Sequence, residues 1–335
     1  MRSKTRLCAT ALALAFATPA ALAQTPQAGQ PRLLPSAAAA YGEYQSEVST
    51  IRSAPLGGAA ELDKALNTFG AQNPDQLSSG WVAYSAMIAA QDKDFAAAVR
   101  DIDSYYGRDR VMTGMRNDVG YARTLKGGEK ALQTALVVNQ KDAGRISSAA
   151  AFVKDQAYKL QDVTWGKSRL KDAGGVATKL KVNAKTVRPI ADAAQKMFGG
   201  PDLNAVLASV TNTPDSSVWD KISVFTASAP AAALATLTPS IAQPAPGALK
   251  VDPRREGTAN RIVTLAAFHV LEAEKTNESD VKTAMKDKPT FDCIDWSQLQ
   301  LQACVSAAYT RADLSFCLAE HAIGDAGACF SSVAK

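Results

Sequence analysis

The stretch CIDWSQLQLQACVSAAYTRADLSFCLAEHAIGDAGAC, residues 293–329, holds four of the five cysteines in the chain. The spacing is C-x10-C-x12-C-x11-C, so the outer pair and the inner pair share nearly one midpoint, at residues 309–311. Two antiparallel helices, near residues 297–309 and 313–323, would place Cys304 beside Cys317 and Cys293 beside Cys329. The stretch therefore predicts a helical hairpin that is closed by two nested disulfides.

Four cysteines allow three pairings, and the spacing leaves a local Cys293–Cys304 bridge as the main alternative. That bridge would have to bring two Cα atoms on a continuous helix within about 7 Å of each other. A metal site is disfavoured because no C-x2-4-C spacing occurs, and a C-x-x-C redox pair is absent. The cysteines therefore predict a structural role in an oxidising compartment.

The first 23 residues have the pattern of a secretory signal peptide. Three basic residues precede an apolar run at residues 7–22, and Ala21-Leu22-Ala23 resembles a cleavage site. The run falls short of the roughly 18 to 20 apolar residues that a membrane span needs, and no later run is longer. We therefore expect an exported protein, periplasmic or secreted, with no transmembrane segment in the mature chain. Without Arg2, Lys4 and Arg6 the formal charge falls from +5 to +2, which does not indicate a nucleic-acid partner.

Beyond the signal peptide, the apolar positions recur at intervals of three and four, which predicts helices almost throughout. No Asn-Gly or Asp-Gly turn lies between alternating strands, so we expect an all-α, irregular multi-helix bundle ending in the disulfide hairpin. The composition divides the chain into a flexible leader (24–37), a main helical domain (38–229), an Ala/Pro-rich linker (230–257) and a C-terminal disulfide subdomain (258–335). The sequence leaves open whether the linker is an ordered connection and whether the subdomain packs on the main domain.

Catalytic motifs are scarce. The two histidines, His269 and His321, lie inside apolar helical runs, where a hydrogen-bonded helix histidine is the common case. Neither H-E-x-x-H nor G-x-S-x-G occurs, and we expect no cofactor, metal or catalytic residue. A carboxylate such as Glu278 could act as a general acid, and this is the basis of an alternative enzymatic function.

Two clusters are candidate binding surfaces. Residues 154–188 hold nine basic and three acidic side chains, a net charge of +6, which could bind an anionic partner or form a solvated helix face. The candidate patch consists of Lys167, Arg169, Lys171, Lys179, Lys181, Lys185 and Arg188. The second cluster could be an aromatic groove or a half-buried seam between helices. It consists of Tyr41, Tyr44, Trp81, Tyr84, Tyr105 and Tyr106.

These features favour an exported, non-enzymatic helical protein that binds or scaffolds a partner in the cell envelope. The partner could be an envelope protein or an anionic envelope polymer. The alternative is a hydrolase or lyase that acts on envelope polymers through a carboxylate general acid. A third hypothesis is docking to a membrane surface through residues 154–188.

Overall fold

The computed structural model describes residues 32–200, 203–212, 219 and 249–335. The predicted signal peptide, most of the predicted leader and most of the predicted linker lie outside the described residues. The described residues all belong to one compact unit. Within its described part, all regular secondary structure is helical apart from two isolated β-bridges, which confirms the predicted all-α class.

The helices run in the following order: α1 (Leu33–Ser53), α2 (Ala59–Gly70), α3 (Pro74–Ala89), α4 (Lys93–Tyr106), α5 (Arg108–Asn117), α6 (Tyr121–Thr124), α7 (Gly128–Leu160), α8 (Ala173–Ala184), α9 (Asp192–Gly199), α10 (Leu203–Asn212), α11 (Glu256–Val270), α12 (Glu278–Met285), α13 (Lys288–Ala307), α14 (Arg311–Cys317), a π-helix (Leu318–Asp325) and α15 (Ala326–Ser331). Short 3₁₀ turns at Pro253–Arg255 and Ala273–Lys275 precede α11 and α12.

Local hydrogen bonds set several helix starts. The side chain of Asn73 accepts from the Gln76 N–H at 3.0 Å, and Pro74 occupies the first position of α3. Gly127, which caps α7, has φ +82°, and a Cβ there would lie 2.5 Å from the Phe95 backbone nitrogen. Only glycine fits that position, because both the dihedral angle and the close approach exclude a side chain.

The core is built where α1, α3, α7 and α11 pack together. At its centre the rings of Tyr41 and Trp81 lie against Phe330 of α15, with centroid distances of 5.3 and 5.7 Å. Phe330 is 1 % exposed, so the C-terminal segment inserts an aromatic side chain between the first helices of the chain. Residues 258–335 therefore share a core with the helices of the predicted main domain.

The predicted disulfide hairpin is confirmed. Cys293–Cys329 and Cys304–Cys317 form the nested pairs, with Cα–Cα distances of 5.7 and 5.6 Å. At the turn, the Thr310 side chain accepts from the Asp313 N–H and the Asp313 carboxylate accepts from the Thr310 N–H, which is a capping box.

The hairpin differs from the prediction in its arms. The first arm, α13, begins at Lys288 rather than near residue 297, because the Asp287 side chain caps it by accepting from the Thr290 N–H at 3.1 Å. The second arm contains the π-helix between α14 and α15. Eight residues of π-helix make fewer than two turns, which is too short a stretch for the apolar periodicity to distinguish it from an α-helix.

The end of the predicted linker is ordered where it is described. Lys250 and Lys335 exchange two backbone hydrogen bonds of 2.9 and 3.0 Å, and the Asp252 N–H donates to Val333 O at 2.9 Å.

Across the described residues, none of the helices combines the length and hydropathy that a membrane crossing requires. The two disulfides point to an oxidising, exported environment.

Candidate functional site

The structure separates the six aromatic residues of the proposed groove. Tyr41, Tyr44, Trp81 and Tyr84 are at most 1 % exposed and belong to the core. Tyr105 and Tyr106 are 81 % and 50 % exposed at the end of α4, where their rings are 4.7 Å apart. These positions do not match a surface groove, because four of the side chains have no surface to offer a partner.

The buried tyrosines belong to a polar cluster inside the core. The Tyr41 hydroxyl accepts from Gln45 Nε2 at 2.7 Å, and Asp142 is fully buried nearby. Burial first, and the Asp142 charge second, raise the pKa of both Tyr41 and Tyr84 well above the usual range. Both phenols therefore stay protonated at neutral pH, and the Tyr41 hydroxyl is held by its hydrogen bond to Gln45.

Each histidine pairs with a carboxylate. The buried His269 Nδ1 lies 2.9 Å from Glu274 Oε1, while Glu274 Oε2 accepts from the Leu34 N–H at 3.2 Å. This arrangement ties the start of α1 to the turn after α11. On the π-helix, His321 Nδ1 lies 2.8 Å from Asp325 Oδ2. In the described ranges, no group of three His, Cys, Asp or Glu side chains converges as a metal site would require.

Among the described carboxylates, Glu278 and Glu47 bear on the hypothesis of a general acid. Glu278 is exposed and pairs with Lys282 one turn away. The pKa of Glu47 is raised, by burial first and by Glu43 second. Glu43, Gln76 and Arg188 line a small cavity. Its volume is about 10 Å³, which has room for about one water molecule. That volume does not accommodate a sugar ring.

The basic stretch lies beside the disulfide hairpin. Backbone hydrogen bonds join residues 166–170 to residues 309–312, including Leu170 N–H to Tyr309 O at 3.0 Å. The Arg169 guanidinium lies over the Tyr309 ring, 4.6 Å from its centroid. Further along, a Cβ added at Gly70 would lie 2.9 Å from both Leu180 of α8 and Leu301 of α13. The start of α8 thus lies near the end of α13, and the two helices run antiparallel and pack together.

Six of the seven residues of the proposed patch have side chains that are open to solvent. Each is exposed and forms no ion pair with any described residue, and we call them the basic face: Lys167, Arg169, Lys171, Lys179, Lys181 and Lys185. Arg188 differs, because its Nη1 donates to Thr68 O at 3.0 Å and its backbone N–H donates to the Gln76 side chain. Arg188 thus joins the α2–α3 region to the segment after α8.

An exposed apolar stripe lies on α13, the helix that packs against α8 of the basic face, and no prediction from the sequence identified it. On α13, Trp296 and Leu299 are 62 % and 44 % exposed, and Ala303 and Ala307 continue the same side at helical spacing. On α8, Val182 is 60 % exposed between Lys181 and Lys185. The signal was present in the sequence, but α13 also has a buried apolar side with Ile294, Leu301 and Val305, which masks the second stripe.

No protein-family profile, curated protein or solved structure matches this chain. Its class is therefore defined by the fold and the surface: an all-helical, doubly disulfide-bonded protein with an exposed basic face.

Proposed function

We propose that this chain is an exported, non-enzymatic protein of the cell envelope that binds a negatively charged partner through the basic face. The observation that carries the proposal is that six basic side chains between residues 167 and 185 are exposed and form no ion pair with a described residue. Lysines that only solubilise a surface are usually interspersed with acids, whereas a concentration of one sign creates a potential that attracts an anionic partner.

Two disulfides cross-link the helix against which part of the basic face packs. The first arm of the hairpin is cross-linked at Cys293 and Cys304, and α8 packs against that arm. A surface that is already ordered loses little conformational entropy when a partner binds. This arrangement suits a protein that docks or scaffolds.

Isolated cell envelopes provide the test. We expect the purified protein to co-sediment with them, and the bound fraction should fall as salt is raised and the Debye length shrinks below about 10 Å. A variant with Lys179, Lys181 and Lys185 changed to Glu should bind at least about tenfold more weakly, because three charges of the face are reversed.

The matched control reverses Lys93, Lys126 and Lys286, which are exposed elsewhere and form no ion pair with a described residue. This variant has the same net charge as the first but keeps the basic face, so its binding should stay close to that of the wild type. Equal losses in both variants would refute the role of the face, as would binding that salt leaves unchanged.

A further inference from the structure

We propose that the anionic partner is a phospholipid bilayer surface, on which the basic face contacts the headgroups while Trp296, Leu299 and Val182 enter the interface. This inference rests on the proposed function, since it names the partner of the same face.

The distribution of exposed apolar side chains supports it. Ten large apolar or aromatic side chains are well exposed in the described residues, and seven of them lie on three segments that contact one another. The segments are the end of α7 with the residues that follow it, α8 with the residues up to 187, and α13 with the residues up to 309. The seven are Tyr158, Val163, Val182, Val187, Trp296, Leu299 and Tyr309. Contacts join the segments: α8 packs on α13, residues 166–170 bond to residues 309–312, and the Tyr158 ring lies 4.8 Å from Phe316 of α14. Exposed apolar groups concentrated in one region mark an interaction site.

The basic face lies within residues 158–187, the stretch that also carries four of these seven side chains. Lys167, Arg169 and Lys171 precede α8, while Lys179, Lys181 and Lys185 follow its exposed side. Charge alone would suit an anionic polymer, but a polymer of phosphates or carboxylates gains nothing from exposed valine and leucine. A bilayer interface favours both groups, because tryptophan and aliphatic side chains partition into it while lysine stems extend toward the headgroup phosphates.

Acidic side chains near the stripe are fewer. Asp292 is paired with Lys288 at 2.7 Å, and Asp172 caps α8 by accepting from the Gly175 N–H at 2.7 Å. Asp295, beside Trp296, is exposed, and so are Asp155 and Asp162, near Tyr158 and Val163. The six cations of the basic face outnumber these acids, so an anionic surface is attracted overall.

Trp296 also supplies a spectroscopic probe. Of the four tryptophans, Trp81 and Trp219 are at most 1 % exposed and Trp165 is partly buried, whereas Trp296 is 62 % exposed. Transfer of the Trp296 indole from water into the interface should shift the fluorescence maximum to shorter wavelength. The Trp296→Phe variant should lose that shift yet keep most of its affinity.

The experiment uses the purified protein with two vesicle populations, one of pure phosphatidylcholine and one containing phosphatidylglycerol. We expect binding to the anionic vesicles to be at least about tenfold stronger, and to be accompanied by the blue shift. Reversal of Lys179, Lys181 and Lys185 should weaken it by about a hundredfold or more, since each lysine near such a surface contributes about 1 kcal/mol. The control reversal of Lys93, Lys126 and Lys286 should leave most of the binding intact.

The outcomes separate the two proposals. If anionic vesicles are not bound while salt-sensitive binding to whole envelopes persists, the lipid inference is wrong and an acidic protein or polymer is the partner. Equal affinity for both vesicle types, or binding without a blue shift, would also overturn the inference. If Lys179, Lys181 and Lys185 can be reversed without any loss of binding to envelopes, the proposed function fails as well.

Discussion

Replacing the two cysteines of one disulfide by alanine should lower the free energy of unfolding. The size of the loss depends on whether the other disulfide is intact, because one bridge lies inside the loop that the other closes. Cys293–Cys329 spans 36 residues and Cys304–Cys317 spans 13. With the inner bridge intact, the outer bridge closes only 36 minus 13, or 23, further residues. Removing the outer bridge should then lower the free energy of unfolding by about 3.4 kcal/mol, rather than the about 3.8 kcal/mol of an isolated 36-residue loop.

Removing the inner bridge should lower the free energy of unfolding by less than removing the outer one. An isolated loop of 13 residues is worth about 2.9 kcal/mol, so losing both bridges should cost about 6.3 kcal/mol by either route. The thermodynamic cycle then requires about 2.5 kcal/mol for removing the inner bridge while the outer one stays.

Urea unfolding under non-reducing conditions measures these differences. The two double variants are well matched, because each removes one buried cysteine (Cys329 or Cys317, both 1 % exposed) and one half-buried cysteine (Cys293 or Cys304). The loss of sulfur packing should therefore be similar, and the loop term should decide the order. A larger loss from the inner pair than from the outer pair would refute the loop-length reasoning.

Two further variants test contacts that join distant parts of the chain. Phe330→Ala should lower the free energy of unfolding by about 3 to 5 kcal/mol in urea unfolding, because it leaves a cavity beside Tyr41 and Trp81, and Phe330→Leu should lose less. A loss below about 1 kcal/mol for Phe330→Ala would contradict that packing. The second variant concerns Glu274: burial alone would raise its pKa, but the hydrogen bonds from His269 and from the Leu34 N–H offset burial, and the pKa is lowered from 4.5. Its contribution is therefore present above about pH 4.5 and lost as the pH falls further, so wild-type stability should drop more steeply there than that of Glu274→Gln. Parallel pH profiles would show that Glu274 does not contribute in this way.

Parts of the fold that rest on local chemistry could be predicted from the sequence. The cysteine spacing acts as a distance constraint on a helical hairpin, and it identified both disulfides. The helix start at Asn73-Pro74 and the turn at Thr310 depend on the same kind of local chemistry, because a capping side chain bonds to a backbone N–H only three residues away.

The arrangement of the candidate site could not be read in the same way. The approach of residues 166–170 to residues 309–312 depends on backbone hydrogen bonds between segments about 140 residues apart, and backbone groups are the same in every residue. The tyrosines show a second limit on what the sequence can predict. Tyr41 and Tyr106 both lie on helices with apolar spacing, and only tertiary packing decides that the first is fully buried and the second half exposed.

The contact between Tyr41 and Phe330 also has a consequence for biosynthesis. The two residues are 330 minus 41, or 289, positions apart, so a ribosome that adds 5 to 20 residues per second needs about 15 to 60 s to make the second after the first. During that interval the newly made first helices expose aromatic side chains that have no Phe330 to cover them. The nascent chain should therefore be a client of chaperones until residue 330 has emerged.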